Sequence, residues 1–228
     1  MQIETLTNRD PKRLELLLRI AIWMLVLLFF RVIIAILLQY QNYFPPNFES
    51  SFLRGREATF NGWYQIAFYA HILSGPPCLL IAAFLMFSGG RSELGSWHRR
   101  LGKVLAGLAL LVMLPSGLAM SLRSFTGPIA GVGFAALSAL SAGSIVIAAR
   151  HAMAGRYALH QLWARRSFVF LCSPLLLRLW GGAMYVLGIE SDGTYRFAAW
   201  ASWLIPLALF ELSRRPVAVR WFNKIKES

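Results

Sequence analysis

The sequence predicts an all-α fold, a polytopic transmembrane helix bundle of six spans with both termini in the cytoplasm. Three observations carry that prediction. First, 57% of the 228 residues are hydrophobic and only 14% are charged, about half the charged share of an ordinary soluble domain. A soluble surface cannot be built from so few charges. Second, the apolar residues fall in blocks at about 17–39, 65–88, 101–122, 129–149, 167–187 and 197–212, each near the roughly 20 helical residues that cross a hydrocarbon layer. Third, the basic residues are lopsided. Alternating the sides of these blocks puts 17 Lys and Arg against six acids on one side, a net +11, and four against four on the other. Basic residues collect on the cytoplasmic side, which fixes the orientation. The formal charge of +13 then reflects topology and anionic lipids at the cytoplasmic face, and no nucleic-acid partner is implied.

Taken in order, the chain reads as one transmembrane domain, 1–228, in a cytoplasmic membrane. The apolar block after the first nineteen residues is too long for a signal core, so the first span is retained. Arg31 interrupts it. The external segment Tyr40–Gly62 holds Pro45, Pro46 and several aromatics, and suits either one short helix around Phe48–Arg54 or a loop on the outer interface. Span two opens on an aromatic belt of Trp63, Tyr64, Phe68 and Tyr69. His71, Gly75, Cys78, Leu79 and Ala82 then recur at helical spacing, which gives a small, polar face turned into the bundle. Pro76 and Pro77 predict a kink at that level.

Gly89 and Gly90 end span two, and Ser92–Trp97 reads as a tight internal turn. Span three is lined with small residues, among them Ala109 and Gly117. Span four, Ile129–Ala149, is densest in Ala, Gly and Ser, so it is the central helix of the bundle. Arg150–Arg166 reads as the second internal turn, holding His151 and His160. Span five carries Cys172, Pro174 and Arg178, and span six carries Pro206. Cys78 and Cys172 sit inside spans, where thiols rather than a disulfide are expected.

Counting the 1.5 Å helical rise from the outer edges puts His71, Arg31 and Arg178 about 10, 12 and 13 Å deep. Three nitrogen-rich side chains on three spans thus reach one level. The spans hold no carboxylate there to neutralise them; Glu211 lies at the inner end of span six. Membrane arginines usually face the bundle or a wet cavity, and a guanidinium fork suits a paired oxygen acceptor. Arg31, His71 and Arg178 are therefore the candidate ligand-binding residues, for a quinone, an anionic lipid or a similar amphiphile. The bland alternative has Arg31 snorkelling to headgroups and Arg178 satisfying carbonyls beside Pro174.

A second set, His98, His151 and His160, lies at the inner edge and is the candidate cofactor-binding group. Paired imidazoles on neighbouring helices are how membrane cytochromes hold haem, but the lone outer histidine makes haem the lesser alternative to quinone. HExxH and CxxC patterns are absent, so no metal site is assigned. No phosphate loop or nucleophile motif points to a catalytic residue.

His71-x-x-x-Gly75-Pro76, His98-Arg99-x-Leu101-Gly102, then His160 ahead of Trp163 and Arg166, with Arg178 downstream, resembles a bacterial membrane family, the domain-of-unknown-function family 2306. The resemblance covers about residues 64–187. That family carries a second basic residue after the histidine matching His160, where this chain has Gln161. The resemblance implies the membrane fold and the choice of residues, and no activity. An accessory or assembly subunit bound to other membrane proteins is the rival reading, and a transporter the third, weakened by the missing carboxylates.

Overall fold

The computed structural model describes residues 11–50, 52–88 and 95–226. The described residues are helical with no strand, as the composition predicts. The chain divides into two units, Met1–Gly55 and Arg56–Ser228, each described on its own.

In the first unit, α1 spans Pro11–Leu38 and a 3₁₀ turn follows at Gln39–Asn42. Of the short helix or loop expected around Phe48–Arg54, the described residues form the loop. Successive turns build it, with Ser50 N–H donating to Asn47 O and Leu53 N–H to Ser50 O, both at 3.1 Å. Pro45, Pro46 and the capping side chain of Asn47, which receives Glu49 N–H at 2.9 Å, favour turns over a continuous helix.

The second unit holds α2 (Gly62–Ser88), α3 (Gly95–Leu108), a π-helical turn at Ala109–Met113, α4 (Leu114–Ser121), α5 (Pro128–Met153), α6 (Tyr157–Leu171), α7 (Ser173–Val186) and α8 (Asp192–Lys226). The successive crossings run antiparallel. One end of the unit carries Arg123, the other Arg150. α5 packs against α4, α6 and α8, so the helix richest in small residues is central, as expected. Its buried face is Ala130, Gly131, Gly133, Ser138, Ser141, Ser144, Ile145 and Ala148. Lipid tails are as apolar as leucine, so helices associate in a membrane through close van der Waals fit rather than hydrophobic transfer. Gly131 shows how close: a Cβ there would lie 2.6 Å from Ser121 O. This glycine is consumed inside the chain.

Among the described residues, five helical stretches are long and apolar enough to cross a membrane: Glu15–Asn42, Gly62–Ser88, Gly95–Ser121, Pro128–Met153 and Tyr157–Val186. They match the first five predicted spans. The sixth, 197–212, lies within α8, which packs on α5, α6 and α7 through buried Ala198, Ala199, Ala201, Ser202 and Trp203.

α2 is helical through Pro76 and Pro77. Just before them, the Ser74 hydroxyl donates to Ala70 O at 2.5 Å. Regular α-helix is broken at Pro115 and Pro174. Pro115 cannot donate to Leu111 O and crowds it, and the chain answers with a widened turn in which Leu114 N–H reaches Ala109 O. At Pro174 the crossing divides into α6 and α7, with Cys172 between. The segment Arg150–Arg166, read as a turn, is mostly helix. α6 starts at Tyr157, because a basic, interfacial stretch satisfies its backbone as well by helix as by turn. The expected Gly89–Gly90 end and the Ser92–Leu94 part of the first internal turn lie outside the described residues.

Candidate functional site

The site is built outward from the π turn. That turn leaves the Met113 carbonyl turned toward α2, where it lies 3.0 Å from His71 Nδ1 and also accepts the Ser116 hydroxyl at 2.9 Å. A carbonyl can only accept, so Nδ1 carries the proton, and when the ring is neutral Nε2 holds the lone pair. The ring is held in a fixed plane by this bond. Gly117, one turn beyond Met113, makes room for it: a Cβ there would come within 3.0 Å of His71 Cε1 and 3.3 Å of Ser138 Oγ. His71, Gly117 and Ser138 therefore bring α2, α4 and α5 together around one imidazole.

Arg178, on α7, lies within electrostatic range of the His71 ring and of Tyr195. It stands eight residues from the end of α7 and His71 nine from the start of α2, about 12 and 14 Å along the helices. Arg178 is exposed, and its Nη1 donates to Pro174 O at 3.3 Å, the carbonyl contact foreseen beside Pro174. Arg31 is exposed on α1, in the first unit.

Toward the Arg123 end, the cluster continues through residues the sequence did not single out. Arg56 is only 7% exposed. Its Nη1 donates to the Tyr64 hydroxyl at 2.6 Å and to Arg123 O at 3.3 Å. Arg123 Nη1 donates to Thr59 O at 2.7 Å, and its guanidinium lies 4.6 Å over the Trp63 ring. Tyr195 stands beside Phe125 and Phe134 and feels the charges of Arg56 and Arg178. The aromatic faces hold these cations where carboxylates would in a soluble protein. In sequence, Arg56 reads as one more loop arginine. The aromatic residues that flank it, Phe60, Trp63 and Tyr64, were the signal that it is enclosed.

At the Arg150 end, His98 and His160 face each other with ring centroids 6.4 Å apart. His160 Nδ1 lies 2.9 Å from Ala148 O. His151 closes α5, and its carbonyl receives Arg156 N–H at 2.9 Å. Among the described residues no hydrogen bond or ring contact joins its imidazole to the other two. Nearby, Arg166 Nε donates to Glu211 Oε1 at 2.6 Å and covers the Trp163 ring at 4.4 Å, so the carboxylate at the inner end of span six is paired. No cluster of three or more His, Cys, Asp or Glu suited to a metal is found among the described residues.

Residues 68–213 match the family described as "Predicted membrane protein (DUF2306)". The chain belongs to this family. The DUF2306 match extends past the resemblance seen in the sequence, from α2 into α8, and includes His71, His98, His151, His160 and Arg178. Arg31, Arg56 and Tyr64 lie before it. No curated protein and no solved structure matches the chain.

Proposed function

We propose that this DUF2306 protein binds the oxygen-bearing head of a membrane amphiphile, a quinone in the first instance, at an intramembrane site formed by His71 and Arg178. One observation carries the reading: His71 Nδ1 bonds the Met113 carbonyl, which leaves Nε2 as the acceptor of the neutral ring, and the Arg178 cation lies within electrostatic range of that ring. A hydroquinone hydroxyl donates to Nε2, while a quinone oxygen or an anionic headgroup accepts from the guanidinium. The apolar groove between α7 and α8, lined by Leu176, Trp180, Ile205 and Leu209, gives a tail a surface on the helix that carries Arg178. The same reading takes the charge distribution to place the Arg123 end outside the cytoplasm of a bacterial cell, with anionic lipids at the Arg150 end.

Titration of the detergent-purified chain with a short-tailed benzoquinone, followed by tryptophan fluorescence quenching, tests the proposal. His71→Ala and Arg178→Ala should each weaken binding about tenfold, the loss of one hydrogen bond to a charged or buried group. Equal affinity in wild type and both variants would overturn it. Saturable binding of anionic but not zwitterionic lipid, with no response to quinone, would redirect the same site to a phosphate headgroup.

A further inference from the structure

His98 and His160 sit in the opening turns of α3 and α6, which start at the same end of the bundle. Their rings lie 6.4 Å apart, centroid to centroid, at 81°. His160 donates its Nδ1 proton to Ala148 O at 2.9 Å, and that bond leaves Nε2 as the lone-pair nitrogen. Metal-ligating histidines usually carry such a bond from the nitrogen that does not touch the metal. His98 Nδ1 is buried and has no hydrogen-bond partner among the described residues. A buried nitrogen left so costs on the order of 1–3 kcal/mol, and coordination removes that cost. Neutral imidazole is the ligating form.

Metal–nitrogen bonds of about 2.0–2.1 Å place two rings on a shared ion with their centres roughly 5–6.5 Å apart. The observed spacing falls at the wide end, nearer to ligands on opposite sides of the metal. We infer that His98 and His160 together hold a transition metal through two imidazole nitrogens. The remaining positions are taken by water on a bare ion or by the ring nitrogens of a haem, since no third histidine, thiolate or carboxylate joins the cluster among the described residues. Imidazole pairs of this kind suit iron, copper, nickel or zinc. The metal is either a bare divalent ion or the iron of a haem. The inference is independent of the reading of His71.

The full-length chain, purified in detergent without added metal, is examined in two arms. Absorption spectra before and after dithionite reduction read haem, and elemental analysis after a chelator wash, followed by titration with Cu²⁺, Ni²⁺ and Zn²⁺, reads a bare ion. One equivalent per chain in either arm is expected. His98→Ala and His160→Ala should each lower occupancy or affinity about tenfold or more, and His71→Ala should leave it unchanged. His98→Gln and His160→Gln serve where an alanine variant loses its helical circular dichroism. A reduced-minus-oxidised spectrum without haem bands, together with titrations no tighter for wild type than for the double variant, overturns the site. So does stoichiometric metal that persists in the folded double variant.

Discussion

At the residue scale, the site depends on a single acceptor. Met113 O holds both His71 and Ser116, and Gly117 clears the space beside them. Gly117→Ala therefore puts a methyl group 3.0 Å from the imidazole, too close for the ring to stay in plane with the carbonyl. Quinone affinity should fall about tenfold, while thermal stability in detergent drops by about 1–3 kcal/mol, the usual range for overpacking. Unchanged affinity would show that the ring plane is irrelevant to binding. His71 and Arg178 were legible in the sequence because polar side chains are scarce in an apolar span and depth follows from counting. The hydrogen-bonded partner of His71 was not, since a backbone carbonyl has no letter of its own. Pro115 was the available signal: a proline within a span frees and displaces the carbonyls one turn back.

At the scale of elements, the π turn separates stability from function. Pro115→Ala restores a donor for Leu111 O and lets Ala109–Ser121 close as regular helix. Alanine is the better helix former by about 3 kcal/mol in a helix interior, so thermal stability should hold or rise. Closing the turn rotates Met113 O away from α2, and quinone affinity should drop with the loss of the His71 anchor. Parallel loss of both quantities would mean that Pro115 serves packing alone. α6 and α8 supply a contrast, because their tie is the ion pair of Arg166 and Glu211 at 2.6 Å. Its side chains are 21% and 37% exposed, so Glu211→Gln should cost only about 1–2 kcal/mol, read as a lower melting temperature with quinone affinity intact. The start of α6 at Tyr157 escaped the sequence reading because its first turns carry the same basic and polar residues as a loop. The centrality of α5 did not, since only close packing rewards so many small side chains.

At the scale of the whole molecule, one asymmetry orders everything else: the Arg150 end collects the basic residues, and the Arg123 end has as many acids as bases. A cation drawn across a bilayer loses its hydration, and the cytoplasmic leaflet is anionic. The basic end should therefore face the cytoplasm, with His98 and His160, while His71 opens nearer the other surface. Single cysteines test this in intact cells. Leu122→Cys, in the turn between α4 and α5 and 78% exposed, should react with a membrane-impermeant maleimide added outside. Ala154→Cys, between α5 and α6, should react only after permeabilisation. Cys78 is buried and Cys172 half-buried, so wild type gives the background. The reverse labelling pattern would turn the bundle over. The contact of His71 with Met113 and the pairing of His98 with His160 would survive unchanged, but the quinone head would then be reached from the cytoplasmic leaflet and the metal from outside. The labelling experiment thus decides which compartment exchanges protons with each histidine site, a property that the helix packing by itself leaves symmetric.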